Sequence, residues 1–252
     1  MPLSLCNPDG TMKKTISKQI LALKNDNPQI EPIKSSAAID VDLIALIRSM
    51  VQIPSTFEEL VFDILSLVPK EYARVDLVAD TYLSNSIKNA ERRGGGEDDS
   101  SLILIKSVKS KIPRNFCTFL ANGSNKTRMV KLIFEFIQDS KGKVLNILRT
   151  RMLVLSGEDS CHKVTLSTCE PFPELLSNQE EADTKVIAHS FHSLQQAAYN
   201  QAVIRSPSGD TDIVVLAVSL LNQDKEKVFI DNGCSRSRTL HWLGNLEISE
   251  RR

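Results

Sequence analysis

The chain has no net charge, because its 31 Lys and Arg residues balance 31 Asp and Glu over 252 positions. Overall charge therefore selects neither a polyanion nor an anionic membrane as partner. None of the five cysteines (Cys6, Cys117, Cys161, Cys169, Cys234) forms a C-x-x-C pair. They read as reduced thiols of an intracellular protein, nuclear or cytoplasmic. Cys161-His162 with Cys169 lacks a fourth ligand at suitable spacing, so zinc is not expected there. Long apolar runs are also missing: the best, residues 43–51, is interrupted by Arg48, and no membrane partner is expected. No internal repeat is present. Asn122-Gly123-Ser124-Asn125-Lys126 has a glycine but not the spacing of a phosphate loop.

What is present is enough apolar sequence, 41%, to bury one substantial core. Charge is unevenly distributed. Between Lys88 and Arg151 there are fourteen Lys or Arg against six Asp or Glu, a basic stretch of the kind that grips a phosphate backbone. On helix Asn125–Gln138, Met129, Leu132, Ile133 and Phe136 are expected to share the buried face, leaving Lys126, Arg128 and Lys131 as nucleic-acid contacts.

The pattern alternates strand and helix. Strands are expected over residues 37–42, 75–80, 102–108, 202–205 and 228–230, and after Arg151. Helices are expected over 15–24, 43–50, 56–67 and most of 210–221. Ser55 or Thr56 would cap the helix at 56–67, with Glu58-Glu59 in its first turn. A further helix, 177–198, would open with a Ser177/Glu180 capping box. Such alternation predicts an α/β fold, a mostly parallel central sheet with helices on both faces in three layers. Residues 1–35 read as a polar extension, 36–232 as the domain with a flexible loop near 92–100, and 233–252 as a tail.

The most informative residues are acidic. Glu180-Glu181-Ala182-Asp183-Thr184 and Asp210-Thr211-Asp212 each lead into apolar sequence. Unpaired burial of a carboxylate costs several kcal/mol, and crowded carboxylates call for a divalent cation such as Mg²⁺ or Mn²⁺. Asp42, Asp80 and the 210/212 pair all follow predicted strands, which gathers them at the carboxyl edge of a parallel sheet. His189 and His192, at i and i+3, have a spacing that suits a metal, but packing or partial exposure is the expectation for both.

Together these residues resemble the flap-endonuclease-like branch of the PIN-domain nucleases. Residues 39–48 look like its first element, with Asp42 fitting the aspartate best and Asp40 as runner-up. VDLVADTYLSNSIKNAERR (residues 75–93) looks like the second, with Asp80 as metal ligand. Glu181-Ala182-Asp183 is similar to the family's Glu-Ala-Glu, and Asp210-Thr211-Asp212 to its Asp-x-Asp. The resemblance, which spans residues 37–231, implies a metal-dependent phosphodiesterase acting on DNA or RNA. Asp42, Asp80, Glu181, Asp183, Asp210 and Asp212 would share Mg²⁺ or Mn²⁺, Lys88 and Arg92 would stabilise the scissile phosphate, and Arg93 would contact nucleic acid. Glu180 is held in reserve for Glu181, since residues two apart diverge by about 200° around a helix. The combination also looks like a group of poorly characterised animal proteins, often multi-copy and linked to mobile elements. Family members continue past the last motif into a further acidic residue and a helical DNA-binding element, a pattern that residues 235–252 do not show. The alternative is therefore a catalytically inactive PIN-like module that binds nucleic acid or protein, or a degenerate mobile-element-derived protein.

Overall fold

Among the described residues, ten strands form in chain order: β1 (Leu21–Leu23), β2 (Ala37–Asp42), β3 (Arg74–Val78), β4 (Met152–Ser156), β5 (Cys161–Val164), β6 (Cys169–Pro171), β7 (Gln201–Ser206), β8 (Val228–Asn232), β9 (Thr239–Trp242) and β10 (Leu246–Ile248). The structure is a computed structural model that describes residues 21–23, 31–82, 102–148, 151–207, 211–221, 223–224, 227–233 and 239–248. Its helices are α1 (Leu43–Arg48), α2 (Phe57–Leu67), α3 (Phe116–Ala121), α4 (Gly123–Asp139), α5 (Lys141–Leu148), α6 (Ala182–Gln195) and α7 (Thr211–Leu220).

Eight strands make one sheet in the order β6-β5-β4-β3-β2-β7-β8-β9. The central five, β4-β3-β2-β7-β8, are parallel, and antiparallel strands extend both ends. The chain winds outward from β2 in one direction through β3 and β4, then in the other through β7 and β8. The reversal lies between β2 and β7, where open α/β sheets place a ligand crevice at the strands' carboxyl ends.

Alternation along the strands assigns the two faces. Ile39, Val41, Val75, Leu77, Leu153, Leu155 and Val203 pack with the buried faces of α1 to α5 in the larger core. The opposite face meets α6, which lies against β2, β3 and β7 and in turn against α7. Its apolar packing falls into two groups, one around Val78, Val186, Ile204 and Ile230 and another around Val154, Cys161 and Leu175. Fold class and layering are thus those the sequence predicts.

Local devices explain several boundaries. Thr56, one of the two caps the sequence offers, closes α2 in a complete capping box with Glu59. Four expectations need correction. Residues 21–23, inside the helix expected over 15–24, form a strand that pairs Leu21 with Ile248 and Leu23 with Leu246. Residues 102–106, expected as strand, are irregular, because β4 already occupies the place beside β3. The segment is tied instead through Ile103 N–H to Asn125 Oδ1 at 2.9 Å and through Val108 O, which accepts from Glu58 N–H at 2.8 Å. The buried stripe of α4 is rotated from the expected one, running through Lys126, Met129, Val130, Ile133, Phe134 and Ile137, so Leu132 and Phe136 are only partly buried. Finally, α6 begins at Ala182 rather than 177, and Ser177 Oγ accepts from Gln179 N–H rather than capping it.

Candidate functional site

The carboxyl edge of the parallel strands brings Asp42 and Asp80 together. Asp42 closes β2 and caps α1, its Oδ1 accepting from Ile44 N–H at 2.8 Å and Ala45 N–H at 3.0 Å. Burial pushes its carboxyl up to about 6 against the pull of the amide hydrogen bonds, and the charge of Asp80 adds to the rise. Asp80 lies just past β3. Its Oδ1 accepts from Ala182 N–H at 2.7 Å and its Oδ2 from Tyr82 Oη at 2.8 Å. Burial, reinforced by Asp80, raises the Tyr82 phenol, which keeps it a hydrogen-bond donor.

The Asp80–Ala182 bond fixes the start of α6, and Thr81 N–H to Glu180 O, 2.8 Å, holds the preceding residue. The helix start therefore carries Glu181 at its N-cap position and Asp183 in its first turn beside Asp80. Lys185, one turn on, is buried. Its Nζ donates to Ala79 O (3.1 Å), Thr81 Oγ1 (2.7 Å) and Gly157 O (3.1 Å). Burial lowers its pKa, while Asp80 and Glu158 favour the charged form. This clamp, which joins the ends of β3 and β4 to α6, has no motif by which sequence reading could find it.

Asp212 lies in the first turn of α7, which follows β7, and is exposed. Lys88, Arg92, Arg93 and Asp210 lie outside the described residues. Arg128 and Lys131 are exposed on α4. Lys126, expected as a nucleic-acid contact, is instead 2% exposed, its ammonium 4.1 Å from the centroid of the Tyr82 ring. Rotation of the buried stripe of α4 takes it inward. A cleft of about 440 Å³ runs between α4 and the β4–β5 turn, lined by Asp80, Lys131, Phe134, Glu158, Asp159 and His162 among others. It leads from the surface of α4 to Asp80.

Beneath α6, further from the edge, lies a second polar group. Asp40 and Asp76 are register partners on β2 and β3, so their side chains share the face that α6 covers. Arg74, two residues before Asp76, binds it through Nε to Oδ1 (2.7 Å) and Nη2 to Oδ2 (2.5 Å). His189 Nδ1 also meets Asp76 Oδ2, at 2.6 Å. Arg74 Nη1 donates to His192 Nδ1 at 3.0 Å, and Ser190 Oγ to Asp40 Oδ2 at 2.6 Å. Burial works against the charge on Asp76, but Arg74 and the hydrogen bond from His189 outweigh it and hold the carboxyl below its usual value. Asp40 goes the other way, raised well above the carboxylate range by burial and then by Asp76. Burial and the charge of Arg74 lower His192.

Arg74 and Asp76 carry no mark in the sequence beyond polarity inside an apolar strand, and Asp40 enters only as runner-up to Asp42. Among the described residues, Asp42, Asp80, Glu181, Asp183 and Asp212 bring carboxylate oxygens to this edge. Carboxylate oxygens suit a hard cation such as Mg²⁺ or Mn²⁺, but among the described residues no three of these edge carboxylates gather within 4.8 Å. Among the described helices none is long and apolar enough to cross a membrane. No protein-family model, curated protein or solved structure matches the chain.

Proposed function

We propose that the protein is a divalent-metal-dependent phosphodiesterase acting on DNA or RNA, with its centre at the carboxyl edge of β2 and β3. The observation that carries this reading is the meeting of Asp42 and Asp80 at that edge, beside the helix start that bears Glu181 and Asp183. Asp212 starts the next helix from the same edge, and the resemblance adds Asp210. A bound Mg²⁺ or Mn²⁺ ion would supply a water acidic enough to attack a phosphodiester. Asp42 and Asp80 would hold the ion, with Glu181, Asp183 and Asp212 engaging it directly or through water. Tyr82 and the amide of Ala182 orient Asp80, and Lys185 keeps the strand ends that carry it in register. Lys131, which lines the cleft that reaches Asp80, and Arg128, exposed on the same helix, would receive the phosphate backbone. Lys88, Arg92 and Arg93 take their roles from the resemblance.

The test is cleavage of single-stranded, flapped and duplex DNA and RNA in Mg²⁺ or Mn²⁺, with Asp42→Ala and Asp80→Ala as controls. Loss of at least about 100-fold in each variant, the scale of removing a group that positions catalytic charge, is expected. Absence of cation-dependent cleavage by the native chain would remove the reading. One observation favours the second reading, an inactive binding module: both oxygens of Asp80 already serve structural hydrogen bonds. Nucleic-acid binding without cleavage, retained in Asp80→Ala, would establish it.

A further inference from the structure

Two buried atoms in the network beneath α6 have no hydrogen-bond partner: Asp40 Oδ1 and His189 Nε2. Asp40 is 0% and His189 1% exposed, so bulk water reaches neither, and orphaned polar atoms at such depth are costly. Each belongs to a side chain whose other polar atom is already held. Ser190 occupies Asp40 Oδ2. Asp76, bound by both arms of Arg74, faces His189 Nδ1 at 2.6 Å. That nitrogen therefore donates, which leaves Nε2 as the ring atom open to a ligand. Both atoms belong to one sealed cluster, where a bound cation would satisfy them. The cluster is also compact, with one oxygen from each aspartate and a ring nitrogen of His189 within 4.8 Å of one another.

We propose that Asp40 Oδ1 and His189 Nε2 ligate a first-row divalent cation of the Zn²⁺ class, with Asp76 as the carboxylate that fixes the His189 ring. Metal-ligating histidines ordinarily donate their second ring N–H to a carboxylate that is itself hydrogen-bonded, which is the relation of His189 to Asp76 and Arg74. Ser190 does the same for Asp40. A nitrogen and an oxygen donor suit Zn²⁺ better than Mg²⁺. Both ligands are sealed beneath α6, so the ion enters as the chain folds. The site is separate from the Asp42–Asp80 edge and does not depend on the phosphodiesterase reading. Cysteine spacing, which speaks against zinc at Cys161 and Cys169, does not bear on it.

The full chain would be unfolded in chelator, refolded with Zn²⁺, washed with EDTA, desalted and assayed for metal by mass spectrometry. About one retained ion per chain is expected, as for a metal bound together with folding. Asp40→Asn and His189→Gln should each retain at least about tenfold less, whereas Asp80→Asn, at the edge, should retain the full load. Folded apoprotein given Zn²⁺ without unfolding should take up little. Refolding with Co²⁺ gives visible absorption bands that report the site in the native chain, even if a variant fails to fold. A native chain that refolds cooperatively but retains no ion, or folded Asp40 and His189 variants that keep the full load, would overturn the proposal. Neither result depends on whether nucleic acid is cleaved.

Discussion

Asp80 accepts the backbone N–H of Ala182 across 102 residues of chain, at 2.7 Å, so the first turn of α6 is capped by a side chain from the end of another strand. Asp80→Ala removes this cap together with the Tyr82 hydrogen bond, and should destabilise the fold by about 1–3 kcal/mol. Tyr82→Phe, which loses one bond, should cost about 0.5–1.5 kcal/mol. Urea denaturation followed by circular dichroism measures both. A loss in Tyr82→Phe as large as that in Asp80→Ala would show that the helix cap contributes nothing.

Asp42 makes stability depend on pH. Burial lifts its carboxyl from 3.8 to about 6 in the folded chain. The folded value exceeds the unfolded one, so the contribution is complete below about pH 4 and disappears as pH rises through about 6, by at most about 3 kcal/mol. Asp42→Asn should flatten this part of the profile. Near pH 7, Mg²⁺ should raise the melting temperature of the native chain and not of the Asn variant. An identical Mg²⁺ response in both would take Asp42 out of the ligand set.

Arg74 and Asp76 form a fully buried ion pair. Breaking it from one side strands a charge, so Arg74→Met or Asp76→Leu alone should cost about 3–5 kcal/mol. The double variant should recover a large part of that loss, because it removes both desolvation penalties. A double-mutant cycle in urea gives the coupling, and strictly additive losses would contradict it.

Lys126 and Lys131 lie five residues apart on α4 and should behave oppositely. Lys131→Gln should weaken nucleic-acid binding and reduce the salt slope by about one unit, leaving stability nearly unchanged. Lys126→Gln should lower stability by about 0.5–2 kcal/mol through loss of its buried contact with Tyr82, with no change in slope. Fluorescence anisotropy over a salt series separates the two.

Where the sequence was a good guide, the determinants were local. The apolar strand at 37–42, most of the one expected at 75–80, a cap at Ser55 or Thr56 and the strand-end position of Asp42 all follow from neighbours within a few residues. The failures share another cause. The capping box assigned to Ser177 loses to a carboxylate 102 residues away. Lys126 reads as a surface cation because one residue of helical phase separates an exposed position from a buried one. The Arg74–Asp76–His189 contacts join a strand to a helix 113 residues later, and only the register of β2 against β3 brings Asp40 beside them. Sequence periodicity names which residues are polar, but not which ones find each other.

The polar network beneath α6 also works as an index pin. Apolar contacts tolerate a helix that slips along a sheet, since one methyl group replaces another. Sliding α6 by a turn, about 5.4 Å, would instead withdraw His189 and Ser190 from Asp76 and Asp40 and leave buried charges facing hydrocarbon. The lock lies seven residues from Ala182, about 10.5 Å along the axis at 1.5 Å per residue. Axial placement of Glu181 and Asp183 at the sheet edge is therefore set by contacts two turns away. Substitutions at His189 or Ser190 should displace the carboxylate edge without touching it.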